Sequence, residues 1–138
     1  MNFHIIIPAH NEEAYIGKTL ASLVKQTLLP KAVVVVNDNS SDHTERICND
    51  YASKYEWISV INATSSNQHL PGSKIIQAFN KGLESLDDNY DIICKFDADL
   101  IFPEHYLETL ASHFNTNKQL GMASGFCYIE KNNTWILE

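Results

Sequence analysis

The sequence predicts an α/β fold, a three-layer sandwich in which helices cover both faces of a mainly parallel central sheet. Short apolar segments alternate with segments of helical periodicity from the N-terminus onward. This alternation is typical of βαβ units, which build parallel sheets. One segment, residues 33–36, is apolar at every position, as expected for a central strand that is buried on both faces. We therefore expect a single domain over residues 1–138.

The apolar segments predict five strands. We expect them at residues 3–8, 32–37, 57–62, 91–96 and, approximately, 121–128. A last apolar fragment lies around residues 135–137. After the third strand, the polar and turn-rich stretch 63–71 predicts a mobile loop beside the ligand-binding edge of the sheet.

Four helices are predicted between these strands. The first has Asn11 as its N-cap, and the second starts near Asp42. The third covers residues 73–86, and Pro103 opens the fourth. Apolar side chains that recur at helical spacing are expected to face the core. They are Ile16, Leu20, Leu23, Val24, Ile47, Cys48, Tyr51, Tyr55, Ile75, Phe79, Leu83, Leu86, Tyr106, Leu107, Leu110, Ala111 and Phe114.

The composition and charge of the chain exclude some classes of function. Hydrophobic residues make up 44% and charged residues 20% of the chain, which is typical of globular proteins. The net charge is −7 and the Lys and Arg residues are scattered, so we expect no nucleic-acid partner. An anionic substrate would therefore need a bridging cation.

The sequence also predicts a cellular location. It shows neither the basic and apolar start of a signal peptide nor the run of about 20 apolar residues that a transmembrane helix needs. We expect a cytoplasmic protein, including the case of a peripheral protein at the inner face of the membrane. The three cysteines, Cys48, Cys94 and Cys127, lack metal-ligand or redox spacing and are expected to be buried free thiols.

Three polar segments follow predicted strands. They are residues 8–13, 37–42 and 97–99. In an open parallel sheet the ligand binds outside the carboxyl ends of the strands, where such loops meet. The three segments therefore predict one ligand site at that edge.

Of the three segments, Asp97-Ala98-Asp99 indicates most clearly what kind of ligand would bind. In extended chain the two carboxylates point the same way, and the small Ala98 leaves room between them. One carboxylate would hold Mg²⁺ or Mn²⁺ and the other a ribose hydroxyl or a metal-bound water. An Asp-x-Asp match is expected about 0.5 times by chance in a chain of this composition, so the motif alone is weak evidence. Its position at the end of a predicted strand makes it informative. The alternative is an acidic strand end that caps the fourth helix.

The sequence does not match the motifs of other nucleotide-binding folds or of common hydrolases. Residues 8–13 contain no glycine and two acids, whereas a dinucleotide-binding fold needs a glycine-rich turn there. Residues 72–74 lack the spacing of a P-loop. Neither a serine nucleophile elbow nor a zinc-binding HExxH pattern is present.

Three segments of the chain, residues 5–13, 36–44 and 96–99, resemble the motifs of the family 2 glycosyltransferases, which have the GT-A fold. They correspond to the opening strand with its nucleotide loop, the second motif and the Asp-x-Asp signature, and they occur in the family's order. The resemblance implies that a nucleotide-sugar site is formed by Pro8, Ala9, His10, Glu12, Asp38, Gly72, Lys74, Asp97, Ala98 and Asp99.

The resemblance also implies a role for these residues. The base and ribose pocket would be lined by Pro8, Ala9, His10 and Glu12. Asp38 would accept a hydrogen bond from the base. Asp97 and Asp99 would handle ribose and metal, while Lys74 with Gly72 would lie near the diphosphate. Asn37 and Asn39 depart from the family pattern, so base contacts there are expected to differ.

The implied reaction is metal-dependent, inverting transfer of a sugar from a nucleoside-diphosphate sugar, with UDP-sugars favoured. The acceptor would be a saccharide or lipid-linked hydroxyl, as in polysaccharide biosynthesis. Family members use a carboxylate base well beyond the metal motif, and we assign no catalytic base in this chain, since Glu130 and Glu138 are expected to be solvated. We therefore expect this chain to be mainly the donor-binding portion of such an enzyme, in a domain that is C-terminally incomplete.

Two alternatives remain open at this point. A nucleotidyltransferase would use similar metal chemistry but usually has a basic, glycine-rich loop after the first strand. A non-catalytic nucleotide-binding or interaction domain is the other. The apolar residues 135–137 also predict self-association, and hence a homo-oligomer.

Overall fold

A computed structural model describes residues 1–64 and 72–138 of the chain. Within these ranges the strands are β1 (Phe3–Ala9), β2 (Ala32–Asp38), β3 (Ile58–Ala63), β4 (Ile92–Lys95), β5 (Tyr128–Lys131) and β6 (Thr134–Leu137). The helices are α1 (Ile16–Val24), α2 (Thr44–Lys54), α3 (Ser73–Glu84) and α4 (Tyr106–Thr116). In the same ranges, no helix is both long and apolar enough to cross a membrane.

The central sheet has four parallel strands in the order β3-β2-β1-β4. Strand β1 pairs with β2 on one side and β4 on the other, so that Ile5 faces both Val33 and Cys94. The predicted α/β class and parallel sheet are confirmed. The carboxyl ends of all four strands lie at one edge, where ligands of open parallel sheets bind.

Helices cover both faces of this sheet. Residues Ile5 and Ile7 pack on one face in a core with Leu20 of α1 and Leu107 of α4. Ile6 packs on the opposite face, in a core with the valines of β2 and Ala78 of α3. All four valines at 33–36 are fully buried, because β2 is apolar on both faces as predicted.

Helix α3 lies very close to the sheet. A Cβ atom added to Gly82 would lie 2.6 Å from Cγ2 of Ile6 and 2.9 Å from Cγ2 of Val36. Ala78, one turn earlier, is also buried. The small residues therefore bring α3 close to the sheet, and Phe79 and Leu83 pack beside them as predicted. Ile75, also predicted to face the core, is instead 50% exposed.

Two helices begin later than the sequence predicts. Asn11 has φ 50 and lies outside α1, which begins at Ile16 after a turn in which the Glu12 carbonyl accepts from two amides. Helix α4 begins at Tyr106, whose amide donates to the Pro103 carbonyl over 3.1 Å. Tertiary contacts of the preceding loops delay both starts.

The predicted strand at residues 121–128 is wrong. Residues 121–127 have no regular structure, and β5 and β6 instead form an exposed antiparallel hairpin. A strand needs a partner for its backbone groups, and within the described ranges β4 pairs only with β1. Cys127 in this segment is accordingly exposed, contrary to the prediction, whereas Cys48 and Cys94 are buried.

Burial changes the chemistry of two thiols. It raises the pKa of both Cys48 and Cys94 to about 12. Both are therefore protonated, inert core residues, as expected from the sequence. Of the predicted mobile loop at residues 63–71, all but 63 and 64 lie outside the described residues.

Candidate functional site

A groove of about 530 Å³ lies at the carboxyl edge of the sheet. Its walls come from the loop after β1, the end of β2, the first half of α3 and the turn after β4. The residues that line it are Pro8, Ala9, His10, Glu12, Asp38, Asn39, Lys74, Ile75, Ala78, Asp97, Ala98 and Asp99. This volume is in the range of small-ligand sites.

The groove brings together every predicted site residue except Gly72. Gly72 precedes α3 in the left-handed region, with φ 79, and its carbonyl accepts from the Ile76 amide over 3.2 Å. A residue with a Cβ would be strained in that conformation. Gly72 therefore shapes the start of the helix that carries Lys74, instead of lining the groove itself.

Three lining residues are missing from the sequence prediction: Asn39, Ile75 and Ala78. Ile75 and Ala78 share the groove side of α3. The small residues Ala78 and Gly82 are the signal that could have revealed the sheet-facing side of the helix, and with it the position of Ile75. Asn39 lies in the polar segment 37–42 that was predicted to meet the ligand, although it was not among the predicted site residues.

The loops after β1 and β2 are bonded to each other. The Asn11 amide donates to Ser40 Oγ over 3.0 Å, and the Ser41 amide donates to Asn11 Oδ1 over 2.8 Å. The Glu12 amide donates to Thr44 Oγ1 over 2.8 Å. Asn11 takes the left-handed conformation that this exchange requires, which asparagine tolerates better than most residues. The loop that carries His10 and Glu12 is thus held by its neighbour.

His10 is oriented by the backbone of β2. Its Nδ1 lies 2.6 Å from the carbonyl oxygen of Asp38. A carbonyl only accepts, so Nδ1 carries the proton and Nε2 is left as an acceptor. Nε2 lies 3.4 Å from Nδ2 of Asn11. The Asn11 amide therefore occupies the acceptor Nε2, and the His10 ring lines the groove.

Asn37 does not line this groove. Its Nδ2 donates to Asn62 Oδ1 over 2.9 Å, and Asn62 Nδ2 donates to Glu45 over 3.2 Å. These residues line a smaller cavity of about 210 Å³, near the start of α2. The departure from the family pattern at position 37 therefore lies outside the main groove.

The acidic tripeptide follows β4 without continuing it as a strand. The strand ends at Lys95, and Ala98 and Asp99 lie in a turn, so the predicted extended arrangement is wrong. Ala98 is buried and anchors the turn in the core. Asp97 and Asp99 nevertheless line the same groove, and the ammonium of Lys95 forms an ion pair with Asp97.

Negative charge accumulates beside Glu12. Burial raises the pKa of Glu12, and the charges of Asp99, Asp42 and Asp97 raise it further, in that order. A cation bound between such carboxylates would offset their mutual repulsion. Within residues 1–64 and 72–138, no three His, Cys, Asp or Glu side chains are grouped to hold a metal alone. Asp97 and Asp99 could hold Mg²⁺ or Mn²⁺ with additional oxygen ligands from ligand phosphate and water.

Comparison with known proteins assigns the chain to a family. Residues 4–137 match the family described as Glycosyl transferase family 2. The chain belongs to this family. The probable glycosyltransferase YdaM of Bacillus subtilis (strain 168) is 40% identical over 98 residues, which is 69% of this chain and 22% of YdaM. The chain therefore spans well under half the length of this family 2 relative.

Solved structures of glycosyltransferases share the fold. Staphylococcus aureus TarS 1-349 in complex with UDP has a TM-score of 0.68 at 30% identity, over 84% of this chain and 32% of TarS 1-349. Glucosyl-3-phosphoglycerate synthase from Mycobacterium tuberculosis, in complex with Mn²⁺, UDP and glucosyl-3-phosphoglycerate, has a TM-score of 0.55 at 25% identity. The match covers 79% of this chain and 37% of the synthase. The expected GT-A class is confirmed.

Proposed function

We propose that this chain is the donor-binding part of a metal-dependent, inverting glycosyltransferase that uses a nucleoside-diphosphate sugar, with UDP-sugars favoured. One observation carries the proposal: a single groove contains the His10 and Asp38 pair, Lys74, and the carboxylates of Asp97 and Asp99. The base, the diphosphate and the cation of a nucleotide sugar each find a chemically matched partner there.

The base and ribose would bind between the ends of β1 and β2. The His10 ring would offer a flat face on which the base stacks. Asp38 is largely buried at 8% exposed, and its carboxylate would accept from a base N–H. Because the two loops are bonded to each other, this end of the groove is formed before the ligand arrives.

The diphosphate would lie between α3 and the turn after β4. Lys74 on the first turn of α3 supplies a positive charge on one side of the groove, and Asp97 and Asp99 lie on the other. A divalent cation held by these two aspartates would stabilise the negative charge of the departing nucleoside diphosphate. The bound UDP of TarS, and the UDP and Mn²⁺ of the Mycobacterium tuberculosis synthase, support this assignment.

We assign no catalytic base in the chain. Inverting transfer needs a group that takes the proton of the attacking acceptor hydroxyl while the nucleoside diphosphate leaves. Glu130 and Glu138 are exposed, and neither lines the groove. We propose that residues 1–138 form a single donor-binding domain and that acceptor activation belongs to further residues. The acceptor would be a saccharide or lipid-linked hydroxyl, met at the cytoplasmic face of the membrane.

Self-association is the second part of the proposal. Several large apolar side chains near the hairpin are exposed, including Phe126 at 80% and Trp135 at 61%. Apolar surface of this kind is usually covered by a partner. We expect the isolated chain to form homo-oligomers through the hairpin, and sedimentation of wild type and Trp135→Ser would test this.

Calorimetric titration of UDP, GDP and TDP, each with and without Mn²⁺, tests the function. We expect UDP to bind in the presence of Mn²⁺, and Asp99→Ala to abolish the metal-dependent part of that binding. Glu130→Ala, outside the groove, is the matched control and should bind as wild type does. Absence of any metal-dependent nucleoside diphosphate binding would overturn the proposal.

A further inference from the structure

Helix α1 carries a row of buried polar side chains. Thr19, Ser22 and Gln26 are 0%, 8% and 5% exposed. Their spacing of three and four residues places them on one side of the helix and its C-terminal extension. Buried polar groups are costly unless they are hydrogen-bonded, so each of these residues needs a partner.

All three side chains bond to the backbone of the segment that joins β4 to α4. Thr19 Oγ1 donates to the Ala98 carbonyl over 2.8 Å, and Ser22 Oγ accepts from the Phe102 amide over 3.1 Å. Gln26 donates to the Pro103 carbonyl over 2.6 Å and accepts from the Leu107 amide over 3.0 Å. Residues 98–105 are neither helix nor strand. The side chains of α1 thus supply hydrogen bonds that regular secondary structure would otherwise provide.

The contact of Thr19 falls within the acidic tripeptide. Its hydroxyl has one proton and two nearby carbonyls, Ala98 at 2.8 Å and Tyr15 at 3.3 Å, so Ala98 is the better acceptor. The Ala98 side chain is itself packed in the core. The residue between the two aspartates is therefore fixed by its side chain and by its carbonyl group.

We propose that Thr19 is a positioning residue for the donor site. It fixes the peptide plane that joins Ala98 to Asp99, and so keeps the carboxylates of Asp97 and Asp99 directed into the groove. The link to donor binding rests on the proposed function. Ser22 and Gln26 hold the later part of the segment, at a distance along the chain from the aspartates.

Substitutions at Thr19 separate positioning from folding. Thr19→Val has nearly the same shape but cannot donate, whereas Thr19→Ser keeps the hydroxyl. We expect Thr19→Val to weaken Mn²⁺-dependent UDP binding about three- to tenfold, the effect of losing roughly one hydrogen bond. Thr19→Ser should stay within about twofold of wild type. If the Thr19→Val variant does not fold, Thr19→Ala is used in its place, and we expect the same loss of UDP affinity.

Ser22→Ala is the matched control. It removes a buried hydrogen bond from the same helix to the same segment, but at Phe102 instead of Ala98. It also removes the bond that Ser22 Oγ donates to the Thr19 carbonyl over 2.7 Å, and leaves the Thr19 hydroxyl in place. We expect it to lower the melting temperature while leaving Mn²⁺-dependent UDP affinity within about twofold of wild type. Equal loss of UDP affinity in Ser22→Ala and Thr19→Val would overturn the proposal, because the effect would then be general destabilisation.

The amide resonance of Asp99 gives a second readout that needs no ligand. Its peptide group includes the Ala98 carbonyl, so loss of the Thr19 hydrogen bond should shift this resonance. We expect the shift in Thr19→Val and not in Thr19→Ser or Ser22→Ala. An unshifted Asp99 amide in Thr19→Val would overturn the positioning role. If wild type binds no nucleotide but the shift occurs, the proposed function fails, while the role of Thr19 in fixing the Ala98–Asp99 peptide stands.

Discussion

His10 donates from Nδ1 to the carbonyl oxygen of Asp38, over 2.6 Å. The ring lies in the groove at the end of β1, while the acceptor belongs to the end of β2. One side chain therefore links neighbouring strands and, in the proposed function, also presents a ring to the ligand. Substitutions can separate these tasks.

His10→Asn and His10→Phe form a complementary pair. The Asn amide can replace Nδ1 as donor but has no ring, whereas Phe keeps a ring but cannot donate. We expect His10→Asn to keep the stability of wild type and lose UDP affinity. His10→Phe should lose about 1 kcal/mol of stability and retain more affinity. Urea denaturation and calorimetry measure the two quantities, and equal UDP affinity in both variants would contradict a stacking role.

In the proposed function, Lys95 would compete with the cation for Asp97. Its ammonium is paired with that carboxylate, so Lys95→Met should bind Mn²⁺ more tightly, by about two- to fivefold for an exposed ion pair. The signal of free Mn²⁺ in electron paramagnetic resonance measures this directly. Lys118→Met, which removes the same charge outside the groove, is the control. Unchanged or weaker Mn²⁺ binding in Lys95→Met would contradict the competition.

Glu12 makes the stability of the protein depend on pH. Burial, followed by the charges of Asp99, Asp42 and Asp97, raises its pKa above the ordinary value of a glutamate. Between the unfolded and the folded pKa, the folded state binds more protons, so this group lowers the free energy of unfolding as the pH rises through that window. Above the window the ionised Glu12 remains destabilising.

Glu12→Gln removes this penalty. We expect it to raise the melting temperature relative to wild type near neutral pH, and the difference to shrink as the pH falls through the window. Melting curves across this pH range measure the effect. Glu56→Gln, at an exposed position outside the groove, should show no such trend. A Glu12→Gln difference that is constant with pH would contradict the argument.

Gly82 and Gly17 give opposite expectations for the same substitution. In Gly82→Ala the new Cβ would lie 2.6 Å from Ile6 Cγ2, so overpacking should cost about 1–3 kcal/mol of stability. In Gly17→Ala the nearest atom is Ile47 Cγ2 at 3.5 Å, an ordinary contact. The helix propensity of alanine should then add up to about 1 kcal/mol. Urea denaturation of both variants tests the close approach of α3 to the sheet.

The sequence was sufficient to predict the sheet and most of the groove. The valines of β2 reveal a strand that is buried on both faces, and the polar segments after β1, β2 and β4 fall at one edge because parallel strands all end there. Nine of the ten predicted site residues line the groove. Gly72 is the exception, because its contribution is a backbone angle.

The features that sequence reasoning missed depend on tertiary contacts. Asn11 has the residue type of an N-cap, but its side chain accepts from Ser41 on the next loop. The segment 121–128 has strand-like composition, but composition does not reveal whether a partner strand is present. Likewise, Thr19 could not be assigned from the pattern of α1, since its acceptor is 79 residues away along the chain.

The hydrogen bonds between the loops after β1 and β2 also affect how the entropic cost of binding a ligand would differ between the two ends of the groove. Those loops are already ordered by each other, so seating a base and ribose there would freeze few additional torsions. At the other end of the groove, the side chains of Asp97 and Asp99 are exposed and must lose rotamer freedom to hold a cation. In the proposed function, ordering the protein would therefore cost little entropy where the nucleoside binds, and more where the sugar is released.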